Sequence, residues 1–157
     1  MQETSGMVAV LFRYVLGFCF STIVAHFLIK MNVMALWKTV DPDSYQDSGW
    51  VTLSTIQGIV ERVLYTSAML AAQPAFIALW VALKVASQWE SWKNKPGYNA
   101  FLVGTGLSIL FGVSGAVIIA PNSNAAWQAI AAPIALVLFS LALFLTTKLI
   151  HAAHRAI

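Results

Sequence analysis

The stretch YNAFLVGTGLSILFGVSGAVIIA-PNSN-AAWQAIAAPIALVLFSLALFLTT, residues 98–147, decides the fold. Two apolar runs, 98–120 and 125–147, hold no Asp, Glu, Lys or Arg. Pro121, Asn122, Ser123 and Asn124 separate them. The hydrocarbon core of a bilayer takes about 20 consecutive apolar residues as a helix, and each run supplies that. So short a polar turn predicts an antiparallel helical hairpin.

Two further runs lie upstream. The first, 7–29, carries Arg13 near its start, where a long stem reaches back to the boundary. The second, 59–86, has Glu61 and Arg62 in its first turns and Lys84 near its end. Pro74 falls mid-run, removes the bond to the carbonyl of Leu70 and predicts a kink. Between these runs the residues 30–58 read as one outer loop with Asp41, Pro42, Asp43 and Asp47. Its ends, 32–37 and 54–60, mix apolar and polar residues and suit interfacial helical turns. Ser54 and Gln57 have the capping-box spacing for a helix entering the second span.

Tryptophan placement agrees. Trp37 and Trp50 follow the first run, Trp80, Trp89 and Trp92 close the second, and Trp127 opens the fourth. An indole has an apolar body and one N–H, so it favours the membrane–water boundary. The chain is 59% hydrophobic and 10% charged, against about 25% charged in soluble domains, so its surface is not mainly water-facing. The fold expected is all-α: a single membrane domain over 1–157, built as a four-helix transmembrane bundle. The start of the chain offers no small-residue cleavage site, so 7–29 is read as a span and not a removed leader.

Four spans place both termini on one side. Arg13, Lys84, Lys93, Lys95, Lys148 and Arg155 fall there, and Lys30, Lys38 and Arg62 fall opposite. Lys and Arg favour the cytoplasm, which gives an N-in/C-in orientation. The net charge of +3 is scattered and reads as orientation, not nucleic-acid binding. Boundary Trp and Lys fit an integral protein of a bacterial inner membrane.

Within the spans, Gly104, Ser108, Gly112 and Ala116 recur every fourth residue, with Gly115 beside them, and form a small-residue ridge for close helix packing. Gly17, Ser21 and Ala25 repeat the motif in the first span. Such ridges serve packing inside the bundle or contact with a second copy or partner. In the second span Arg62, Thr66, Met69, Gln73, Trp80 and Lys84 form one stripe, and Glu61, Ala68, Ala72, Ala75 and Ala86 another. Glu61, Arg62, Thr66 and Gln73 are candidates for a polar path. Their other reading is interhelical hydrogen bonding, with Arg62 and Glu61 at the outer edge and His26 or Lys30 as a partner for Glu61.

Other groupings carry less chemistry. His151 and His154 share a helix face but have no neighbouring carboxylate or Cys to complete a metal set, and they suit a helix C-terminus. Asp41, Asp43 and Asp47 depart from a calcium loop, with Tyr45 at the third ligand position. The one cysteine, Cys19, reads as a small packing residue. No catalytic constellation, cofactor motif or metal site is assigned. The function expected is that of a non-enzymatic membrane subunit or accessory protein, acting by helix packing in the bilayer with itself or a membrane partner. The alternative is a small oligomeric transporter or channel.

Overall fold

The computed structural model describes residues 2–40, 50–92, 98–120 and 128–155. Its regular structure is entirely helical among the described residues. The elements are α1 (Gln2–Cys19), a π-helical turn (Phe20–Val24), α2 (Ala25–Val40), α3 (Trp50–Leu70), α4 (Pro74–Trp92), α5 (Tyr98–Ile119) and α6 (Gln128–Arg155). Three stretches are long and apolar enough to cross a membrane: Gly6–Val40, Tyr98–Ile119 and Ala129–Ala153. The most apolar window of α5 is 56% buried, against 11% for each of the other two, so α5 is the central helix.

The first helix is longer than the sequence predicts. α1, the π turn and α2 form one rod that runs through Lys30 to Val40, where a loop was expected. Asn32 explains the continuation: its amide donates to the Leu28 carbonyl at 2.8 Å and to Ser140 Oγ of α6 at 2.8 Å. Ala35 is buried a turn further on. At the other end of the expected loop, α3 already begins at Trp50, so Ser54 lies inside the helix and is not its cap. Asp41, Asp43 and Asp47, the turn 121–124 and Trp127 lie outside the described residues.

The continuous second span over 59–86 is replaced by two helices. α3 ends at Leu70, and Ala71, Ala72 and Gln73 turn the chain back. The turn is a Schellman motif: the Gln73 N–H donates to the Ala68 carbonyl at 2.8 Å and the Ala72 N–H to the Met69 carbonyl at 3.1 Å. Ala72 takes the left-handed position, with φ of 54°, without the glycine usual there. Pro74 then opens α4 at its first position, where its missing N–H costs nothing. α4 folds back on α3, with Ile77 and Trp80 packing on Tyr65 and Ala68.

Contacts fix the helix directions. Gly17 meets Gly115 and Ile119, while Val33 meets Gly104, so the rod and α5 are antiparallel. Arg62 meets Ser108 and Thr66 meets Gly112, both 46 residues on, so α3 and α5 are parallel. By the same offset the turn at 71–73 lies level with residues 117–119. Trp89 meets Tyr98 edge-on at 6.1 Å, where α4 ends and α5 begins. α6 runs with the rod: Phe20 lines a groove with Pro133, Ile134 and Val137, and Asn32 meets Ser140 further along. The rod therefore starts at one end of the bundle and α6 finishes at the other, whereas an even number of crossings would bring both termini together.

Candidate functional site

The ridge of α5 faces inward along its whole length. A Cβ on Gly112 would lie 2.7 Å from Tyr65 Cβ, and one on Gly104 would lie 3.0 Å from Val33 Cγ2. Ser108 is buried between them and Ala116 is buried one turn beyond Gly112. Gly115 stands against the rod, where a Cβ would lie 2.8 Å from Ser21 Cβ and 2.9 Å from the Gly17 carbonyl. α3 and the rod thus approach α5 at backbone distance from two sides. That approach brings the charges of α3 inside.

Glu61 and Arg62 are each 2% exposed. They sit opposite Ser108, midway along the 22-residue α5, and not at the outer edge where the sequence suggested. The physical reason is the register just described: α3 begins a turn and more before the expected span. Glu61 pairs with neither His26 nor Lys30. Its partner is Lys84 of α4, whose Nζ lies 2.6 Å from Oε1 and 2.7 Å from Oε2. Gln57 Nε2 also donates to Glu61 Oε1 at 3.1 Å. Lys84 sits 4.7 Å from the centre of the Phe101 ring, which adds a cation–π contact. Lys84 was expected near the end of a span; the fold-back of α4 brings it to mid-bundle instead.

Arg62 has no carboxylate partner among the described residues. Its Nη1 donates to Ser108 Oγ at 3.4 Å and its Nη2 to the Thr22 carbonyl at 3.5 Å. Thr22 belongs to the π turn. There Ser21 and Thr22 both turn their hydroxyls to the Phe18 carbonyl, at 3.2 and 2.5 Å. Hydroxyls that claim a helix carbonyl compete with the backbone ladder, and π turns concentrate at functional sites. Thr66, one turn below Arg62, donates to the Gly112 carbonyl at 3.0 Å.

Of the four residues read as a polar path, Glu61, Arg62 and Thr66 are together and buried, and Gln73 is apart from them, exposed in the turn. Ala72, Ala75 and Ala86 are likewise exposed and form no packing face. Cys19, expected to pack, is exposed. His151 is half-buried, and no group of three metal-ligating side chains occurs among the described residues.

Sequence reasoning missed two features. Asn32 and Ser140 make a second buried polar contact between α2 and α6. Tyr65 and Trp80 bring polar atoms into the same interior as Arg62. The signal for the second lay in Pro74, read as a helix start. A groove of about 200 Å³ lined by Phe20, Pro133, Ile134, Val137 and Leu138 is wholly apolar and takes nothing from α3 or α4.

The cluster thus brings together one acidic side chain, Glu61, and two basic ones, Lys84 and Arg62. Comparison of the chain with family models, with curated proteins and with solved structures finds no match.

Proposed function

We propose that this chain is a small ion-handling membrane protein, a transporter or channel component, working at Glu61, Arg62 and Lys84. The observation that carries the proposal is the burial of Glu61 and Arg62, with Lys84 paired to Glu61, beside the middle of α5, a helix apolar enough to cross a membrane. Ionisable groups at membrane depth mark ion and proton pathways. Packing alone is an insufficient reason for them, because apolar side chains of similar volume hold helices as well or better.

In this reading the rod, α3, α4, α5 and α6 all cross the bilayer. α3 has 21 residues and α4 has 19, lengths of about 31 and 28 Å at 1.5 Å per residue. Their charges are tolerated because they face protein. Five crossings leave the termini on opposite sides. Lys38 ends α2, Lys93 and Lys95 follow α4, and Lys148 and Arg155 lie in the last turns of α6, all at one end by sequence. Arg13 stands alone toward the other. The positive-inside rule then puts the C-terminus in the cytoplasm and the N-terminus outside, which changes the N-in arrangement drawn from four spans. Boundary Lys and Trp fit a bacterial inner membrane. Reporter fusions at each terminus test the orientation: opposite activities are expected, and matching ones refute five crossings.

The functional test is flux in liposomes loaded for protons, alkali cations and small anions in turn. Flux of one class is expected, lost in Lys84→Met and unchanged in Gln73→Leu. No flux of any class above empty liposomes refutes the proposal.

A second reading, a non-enzymatic subunit or accessory scaffold, has its own support. On the outer side of α5, Leu102, Gly106 and Leu110 are exposed and a Cβ on Gly106 would meet nothing within 4 Å. That strip suits close contact with a second copy or a partner helix. Extraction in mild detergent with identification of stoichiometric companions tests it; a monomer with no companion counts against it.

A further inference from the structure

We infer that the interior between α3, α4 and α5 binds one small monovalent inorganic anion, of the halide class, at Arg62, Tyr65 and Trp80. The inference names the ion for the ion-handling reading above and rests on it.

Three buried polar atoms there have no hydrogen-bond partner: Arg62 Nε, Tyr65 OH and Trp80 Nε1. All three carry a proton to give, and Nε of Arg and Nε1 of Trp can only give. Arg62 is 2% exposed and Tyr65 is 0% exposed. Arg62 and Tyr65 stand three apart on α3 and so share one face within a turn. Trp80 packs in one cluster with Tyr65, and it precedes by one turn the Lys84 that pairs across to Glu61. Tyr65 thus links Arg62, on its own face of α3, with Trp80 of α4.

The missing group is an acceptor, and the charge balance says that it is negative. Glu61 is taken up by Lys84 and Gln57. Arg62 meets only a neutral hydroxyl and a neutral carbonyl, at 3.4 and 3.5 Å. A buried cation with neutral company and three idle donors lacks an anion.

The size follows from the way Arg62 is held. Phosphate and carboxylate are taken by the two-pronged fork of a guanidinium. Here one N–H of each Nη is already engaged by Ser108 and Thr22 and Nε has no partner, so an incoming anion meets a fork that is partly occupied. Arg62, Trp80 and Tyr65 each offer one polar atom without a partner, single donors from three side chains, which suits a spherical ion.

The test uses the full chain in detergent, exchanged into sodium gluconate and titrated with sodium bromide at constant ionic strength. The readout is the thermal unfolding midpoint, with calorimetric titration beside it. A saturable rise of the midpoint is expected with bromide, and none with sulfate. Tyr65→Phe removes one donor and little else; it should raise the half-saturating bromide concentration about tenfold. Trp80→Phe should act in the same direction, so the result does not hang on one variant. No saturable bromide response in the unaltered protein, or unchanged affinity in both variants, overturns the site. Cation flux in liposomes without bromide binding would sink the anion site and keep the ion-handling reading. Saturable bromide binding without flux would support the site and sink the transport reading.

Discussion

Replacing Lys84 by Met tests the fold-back of α4 and the buried ion pair together. The substitution keeps the length of the side chain and removes the cation. Glu61 then keeps only the Gln57 amide at 3.1 Å. Breaking a buried pair by removing one partner costs about 3–5 kcal/mol, because the other charge stays behind in a medium that cannot solvate it. The side chain of Lys84 is 10% exposed and that of Glu61 is 2% exposed, so some water reaches the pair and the lower figure applies. A loss of about 3 kcal/mol lowers the unfolding midpoint of a chain this size by about 6–12 °C. Glu61→Gln leaves the more flexible partner unpaired and costs about 1–2 kcal/mol, since a lysine can turn its ammonium to the rim. The double variant carries no stranded charge and should lie within about 1 kcal/mol of the parent. The cycle therefore closes with a coupling of about 3–5 kcal/mol, read from thermal unfolding of the four detergent-solubilised proteins. In an unbroken helix over 59–86 these residues, 23 apart, would stand about 34 Å from each other. Strict additivity of the two single changes would refute the hairpin and the site built on it.

Three further outcomes follow from the packing. Gly112→Leu forces a side chain into Tyr65 and should cost about 3 kcal/mol, whereas Gly106→Leu meets open space and should stay within about 0.5 kcal/mol; unfolding midpoints of the pair check both. Ala72→Gly relieves a left-handed backbone and should raise stability by about 0.5–1 kcal/mol, seen as a higher midpoint. Ser140→Ala strips Asn32 of its contact with α6 and should cost about 1 kcal/mol, with faster amide exchange along α2 as a local sign.

The helical class and the apolar stretches of α5 and α6 were legible because charge-free runs of that length have few other uses. The inward ridge was legible as a ridge, since spacing of four on a helix fixes a face; which neighbour it meets was not, because Tyr65 and Val33 come from distant sequence. The break at 71–73 hid behind two ambiguities. A proline can kink a helix or begin one, and nothing local separates the cases. The left-handed position that ends α3 is filled by Ala72, so the glycine that would have announced a helix end is missing. Once the break is misread, Lys84 falls about 34 Å from Glu61 by helix geometry, and the ion pair disappears with it. The extent of the rod was misread for a related reason: Asn32 looks like a loop residue until Ser140 is known to face it.

The π turn has a consequence for how the rod tolerates insertion and deletion. Its inward residues Gly17, Ser21, Ala25 and Ile29 stand four apart. At 3.6 residues per turn each step of four overshoots by about 40°, so three steps would swing Ile29 about 120° off the line. A turn closed five residues on, not four, absorbs one extra residue, or about 100° of rotation. Phe20–Val24 is thus a phase correction that holds the four residues on one azimuth. Shortening the chain by one residue inside 20–24 would relax the turn to a plain α-helix, with Gly17 and Asn32 still aimed at their neighbours. The same deletion at Met31 would turn Asn32 away from Ser140 by about 100°. The rod carries its reading frame in space, with slack for one residue at one known place.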